Sequence, residues 1–129
     1  MRSFFYSFTI VFLIVFSFSS CAPKLVGTWN IARYETTEPG QQAVALSNIG
    51  TMTFRKNGEG EKNISYTIFG RSRTDDSRFG WHSTGPYVGI ESPNSEFSKT
   101  WIIITNKRKE QKWKSTDGAN RVQVLELKK

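Results

Sequence analysis

From Lys24 to the C-terminus, no stretch of ten residues repeats its apolar side chains at helical spacing. What recurs instead is a short β-rich run followed by turn chemistry. Leu25–Tyr34 opens the series. Ile49–Lys56 alternates, with Met52 and Phe54 on one side and Thr51, Thr53 and Arg55 on the other. Asn57-Gly58 then predicts a hairpin, because both residues tolerate positive φ. Ile64, Tyr66 and Ile68 form one face of the returning strand. Phe79–Ser83 and Pro86–Glu91 read as strands around Thr84-Gly85, and Thr100–Thr105 is the most apolar run. Glu110–Ser115 follows, with Trp113 between exposed Lys112 and Lys114, and Asp117-Gly118 turns the chain into Arg121–Leu127. In that last run Val122 and Val124 fall on one face, Leu125 and Leu127 on the other, which predicts a bulge or burial on both faces. Gln41–Ser47 is predicted as a short helix or a lid-like loop, and the polar stretch Arg71–Arg78 as a loop.

These runs make eight strands, most joined to the next by a short turn. Antiparallel strands in that order form an up-and-down meander. Eight is also the number at which a meander closes into a barrel that is filled by side chains or holds one small ligand. Closure removes the two edges that an open sheet must protect. The predicted fold is therefore all-β, an eight-stranded antiparallel meander closed into a small barrel. An immunoglobulin-type sandwich fits less well, since the tight spacing after Lys99 leaves no place for long cross-connections.

The first 20 residues have a different grammar. Arg2 is followed by an apolar stretch from Phe4 to Phe18, then Ser19-Ser20 and the sole cysteine, Cys21. A basic start, an apolar segment and small residues before a cut site are the layout of a secretory leader. At 15 residues the apolar stretch is short of the roughly 20 that a spanning helix needs. A lone thiol in an oxidising compartment is a liability unless it is modified. Phe18-Ser19-Ser20-Cys21 resembles the lipobox of bacterial lipoproteins. That resemblance implies a lipid such as palmitate on Cys21, removal of residues 1–20 as signal peptide, and a single domain from 21 to 129. It also implies a lipid-anchored protein of the bacterial cell envelope. Ala22-Pro23-Lys24 lacks an acidic run that resembles a surface-export signal, which points to the periplasmic face of the outer membrane.

Gly27-Thr28-Trp29, preceded by Lys24-Leu25-Val26, resembles the G-x-W signature of the lipocalin superfamily, especially the small lipocalin-like lipoproteins of Bacteroidetes. The resemblance implies a lipocalin-like barrel in which Trp29 closes one end beneath a basic residue of the last strand. By position that residue is Arg121. The family's second motif, T-D-Y, is absent, and Thr116-Asp117-Gly118 supplies two of its letters.

The processed chain carries 17 basic against 11 acidic residues, a net +6, because Arg2 falls in the leader. An exported protein does not meet the genome, so nucleic acid is excluded as a partner. A solvated surface or anionic head groups absorb the charge. His82 is the only histidine, and without a second histidine or a free thiol the usual nucleophile–base pairs and most zinc sites cannot be assembled. Asp75-Asp76 offers too few oxygens for a calcium loop and is expected to be solvated. No catalytic residue, cofactor or metal is expected, and the chain reads as a monomeric non-enzyme. What remains is an apolar set, Trp29, Ile31, Phe54, Tyr66, Ile68, Trp81, Trp101, Ile103 and Trp113. These residues either fill the barrel or line a pocket for a small hydrophobic or amphipathic ligand. Phe79–Glu91 and Glu38–Ser47 are the candidate mouth. The alternative is a filled barrel that docks an envelope protein or an anionic glycan or lipid.

Overall fold

A computed structural model describes residues 24–116 and 121–129; Cys21, the leader and the Asp117-Gly118 turn lie outside the described residues. Every regular element among the described residues is a strand: β1 Gly27–Thr37, β2 Val44–Phe54, β3 Glu59–Ile68, β4 Arg71–Asp75, β5 Arg78–Thr84, β6 Tyr87–Glu91, β7 Thr100–Lys107, β8 Glu110–Thr116 and β9 Val122–Lys128. All pairings are antiparallel, and β1 meets both β2 and β9 while β2 also meets β3, so the sheet closes on itself. β4 and β5 lie along the same edge of β3 in one unbroken register, from Ile68 opposite Arg71 to Glu59 opposite Gly80. The Lys62 amide bonds the Ser77 carbonyl across the gap between them. They act as one long strand, which gives the barrel its eight staves.

Two expectations are corrected. Arg71–Asp75 is strand rather than loop, and Val44–Ser47 belongs to β2 rather than to a helix or lid. β4 is hidden from sequence because its residues up to Thr74 are exposed and carry no apolar alternation. Among the described residues, its edge away from β3 carries no strand. The 92–99 connection between β6 and β7 reaches that edge instead, with Ser95 Oγ bonded to Asp75 Oδ2 at 2.6 Å.

Side-chain direction follows strand parity, and β1 changes parity midway. Trp29 and Ile31 point inward, then the register slips by one residue at Ala32, and Tyr34 and Thr36 point inward. Such a bulge bends the strand and re-aims everything after it. β9 has no such slip. Gln123, Leu125 and Leu127 face inward while Val122, Val124 and Glu126 are half-buried outside, so the phase shift seen in sequence is two-sided burial.

One end of the barrel is closed by large rings. Phe54 meets Trp81 and Trp113 edge-on at 5.5 and 5.8 Å, and Trp29 is fully buried. Edge-to-face rings at these distances add to area burial. Each indole N–H has an acceptor, Leu25 O for Trp29, Arg55 O and Glu59 O for Trp81, Phe97 O for Trp101 and Gln111 Oε1 for Trp113. The cation over Trp29 is Lys129, its Nζ 4.8 Å from the ring and bonded to Val26 O. The expected Trp29–Arg121 pair is corrected. β9 starts beside Thr37 at the far end and passes Asn30 only at Lys128, so Arg121 is a barrel length away and bonds Glu96 instead. Gly27 has a φ of +130°, a backbone conformation that residues with a side chain rarely adopt.

Trp29→Phe keeps most of the ring but orphans the buried Leu25 carbonyl. Loss of a buried hydrogen bond of this kind costs about 1–3 kcal/mol. The variant is expected to unfold at correspondingly lower urea, with an unchanged slope.

Candidate functional site

The nine apolar candidates divide by height. Trp29, Ile31, Phe54, Trp101 and Trp113 are buried in the packed interior, with Trp81 and Ile103 half-buried against them. Of the nine, Tyr66 and Ile68 line a cavity at the end opposite the tryptophan floor. That cavity measures about 60 Å³ and is also lined by Tyr34, Thr36, Glu38, Phe69, Arg73, Glu96 and Arg121. Sites for drug-sized ligands run to about 300–1,000 Å³, so this one holds no more than a couple of waters as it stands.

The mouth differs from expectation in one part. Glu38 does line it, whereas the Phe79–Glu91 segment turns at Gly85-Pro86 at the closed end, because β5 runs down from the mouth and β6 runs back up. The segment that occupies the mouth is 92–99. It inserts Phe97, 1% exposed, between Tyr34 and Trp101, at centroid distances of 5.2 and 6.5 Å. Tyr66 packs on the other side of Tyr34 at 5.7 Å.

Hydroxyls and charges hold this plug. Ser98 Oγ receives the Ser92 amide and donates to Ile90 O, the Phe97 amide donates to Ser95 Oγ, and the Phe97 carbonyl accepts from Trp101. Glu96 pairs with Arg121 at 2.7 Å, and Arg121 also reaches Glu38 at 3.8 Å. Deeper in the wall, Lys62 points inward at 1% exposure and donates to Asp75, Ser77 and Ser92 at 2.8, 2.9 and 2.7 Å. Asp75 is thus a buried-pair partner rather than a solvated acid, because strand β4 places it opposite Ile64 beside the ammonium.

On the other wall Gln123 donates to the Tyr34 hydroxyl and accepts from Lys99. Thr36 is the exception: its buried Oγ1 makes no hydrogen bond and borders the cavity. An unmatched buried hydroxyl costs free energy that a ligand or water acceptor recovers. Burial pushes the Tyr66 phenol up to about 12, with Tyr34 and Glu96 adding to the rise, so it stays a neutral donor at the mouth. Burial also raises Tyr34, against the hydrogen bond from Gln123.

Burial alone raises the Asp75 carboxyl, but hydrogen bonds from Lys62, Ser95 and Ser77 outweigh it and hold the group below its ordinary 3.8. A depressed carboxylate stabilises the fold fully above its ordinary value and loses that contribution as pH falls through the depressed one. Acidification below about pH 4 is therefore expected to release the 92–99 segment first, through loss of the Ser95–Asp75 contact. Amide exchange at Phe97 rising before that of the β1 and β9 core amides is the measurement that checks it.

A broader depression of about 640 Å³ lies across the outside of β3 and β5, lined by Arg55, Glu61, Arg78 and Glu91 among others. It is an open, charged surface and none of the nine candidates borders it. His82 is exposed, its ring lying over Gly89. The sequence-based reading missed Tyr34 and Thr36, which the Ala32 bulge turns inward, and Phe97, which sits in a connection. The one legible sign of Phe97 is an aromatic in an otherwise polar stretch, Ser92 to Lys99.

No family model matches the chain, and no curated protein matches it. Among solved structures it is similar to a lipocalin-like protein from Bacteroides uniformis, at 13% identity and a TM-score of 0.53, covering 82% of this chain and 98% of that one. It also resembles a redesigned β barrel, at 19% identity and a TM-score of 0.47, covering 82% and 91%. The first likeness agrees with the closed barrel described above; at these identities it bears on fold alone.

Proposed function

We propose that this chain is a lipid-anchored envelope protein whose lipocalin-like barrel takes a small amphipathic ligand at its mouth, in the place Phe97 now occupies. One observation carries the reading: the side chain that fills the upper barrel comes from a connection held by hydroxyls and an ion pair, not from a strand. A connection swings out without breaking a sheet ladder. Beneath it lie apolar ring faces, the unmatched Thr36 hydroxyl, and the Arg73 and Arg121 guanidiniums at the rim. That combination suits a ring or short acyl chain with a polar, preferably anionic, head. Holding is by burial, with no covalent chemistry, cofactor or metal, and the protein acts as a monomer on the periplasmic side of the outer membrane.

Native mass spectrometry of the protein purified from its own membranes, with tryptophan quenching by short-chain fatty acids and small aromatic acids, tests the ligand. A bound small molecule, or saturable quenching reporting Trp101, is expected. Cys21→Ser is expected to move the processed protein from the membrane to the soluble fraction once the membranes are washed at high salt, whereas the acylated parent stays bound. The second reading is a filled barrel that docks an envelope protein. It is favoured by the small cavity and by Tyr87, Ile102 and Ile104, exposed on the outer wall beside Lys112 and Lys114. Absence of any ligand signal supports that reading.

A further inference from the structure

The strand order sorts charge between the two ends of the barrel. Toward the mouth, Arg71, Arg73, Lys99 and Arg121 are countered by Glu38 and Glu96, with Asp75 and Asp76 lower on the same wall. The closed pole gathers Lys24, Arg55-Lys56, Lys107-Arg108-Lys109 and Lys128-Lys129, with Glu59, Glu61, Glu91 and Glu110 against them. Of those acids Glu61 is taken by Arg55. Among the described residues, Lys24, Lys56, Arg108, Lys109 and Lys128 form no ion pair, and all are exposed. Lys24, Arg108 and Lys129 converge on a shallow cleft of about 320 Å³ with Leu25 and the half-exposed Val26.

The chain enters the barrel at this same pole. Ala22 and Pro23 alone separate Lys24 from Cys21, a reach of at most about 10 Å. That is close to one Debye length at physiological salt, about 8 Å, so a surface holding Cys21 lies within the field of these cations. From this placement we propose that the closed pole docks on anionic phospholipid head groups, fixing the barrel upright with its mouth turned away from the bilayer. The inference takes its orientation from the anchored reading of Cys21. It adds a second, electrostatic contact of the kind one acyl signal needs for stable attachment.

The test uses processed chain carrying Cys21→Ser, so that no acyl group contributes; every described strand and core contact lies within residues 24–129. It is floated with phosphatidylglycerol-containing vesicles and with phosphatidylcholine vesicles, at low and high salt. Flotation with the anionic vesicles alone, abolished by salt, is expected. Reversing Arg108 and Lys109 to glutamate is expected to lower partitioning about 25-fold or more, from about 1 kcal/mol per surface cation. Single reversals compare the two ends: Arg108→Glu is expected to weaken flotation and Arg71→Glu to leave it nearly unchanged. Equal losses mean attraction by net charge without orientation, and no flotation on anionic vesicles means no lipid contact; either overturns the proposal. The anchor is read separately, from the mass of the native N-terminal peptide, so its failure is distinguishable from failure here.

Discussion

Asp75→Ala is expected to destabilise the barrel by about 3–5 kcal/mol, because it leaves the Lys62 ammonium buried without its counter-charge. Lys62 projects from β3 with the inward parity of Gly60, Ile64 and Tyr66, and its ammonium lies 5.9 Å from the Phe79 ring centre. The two serine hydroxyls stay within reach but carry no charge. For a domain of this size the loss is a large share of the usual 5–15 kcal/mol total. Lys62→Met with Asp75→Leu removes both charges together, and desolvation no longer has to be repaid. The double variant is expected to sit within about 1 kcal/mol of the parent, since buried pairs seldom outperform apolar replacements. Urea midpoints of the three proteins at neutral pH measure both effects. A shift below about 1 kcal/mol for Asp75→Ala means that water reaches Lys62, and the interior is wetter than its packing implies.

That lysine marks where the sequence stops being readable. Strands such as Ile49–Lys56 and Ile64–Ile68 announce themselves because inward apolar and outward polar residues alternate with the pleat. The same rule assigns a charged residue outward, and nothing in the pattern signals that Lys62 faces inward, because its partner Asp75 belongs to a strand that the pattern does not reveal. β4 is such a strand: it is paired on one edge, and its residues up to Thr74 are exposed. The Trp29 floor was expected from the G-x-W resemblance rather than from strand parity. Its cation was not legible, because choosing between Arg121 and Lys129 requires knowing which way β9 runs relative to β1. Tyr34 and Thr36 were lost to a one-residue slip at Ala32, and no residue type there signals a bulge. Closure was predictable from strand count, but occupancy was not. A core and a pocket call for the same side chains, and what separates them here is Phe97, outside every strand.

Phe97→Ala is the substitution in which stability and binding are expected to move in opposite directions. Removing a fully buried phenyl from between Tyr34 and Trp101 costs about 3–5 kcal/mol, the transfer of the ring plus the void it leaves. Unlike the floor tryptophans, Phe97 packs against Tyr34, which lines a cavity of about 60 Å³, so its loss opens a void next to that cavity beneath the rim. In the parent, a ligand must first displace Phe97, and its apparent affinity is reduced by the small fraction of open molecules. The alanine variant is already open. It is expected to bind small aromatic acids more tightly than the parent, and to regain about 3 kcal/mol at a hundredfold excess over Kd. Melting temperatures of parent, Phe97→Ala and Phe97→Leu, each with and without ligand, separate the terms. Leucine is expected to fall between the other two in both stability and ligand response. A variant that is destabilised but gains nothing from any ligand means that the mouth collapses onto the gap, and Phe97 then belongs to the core rather than to a gate.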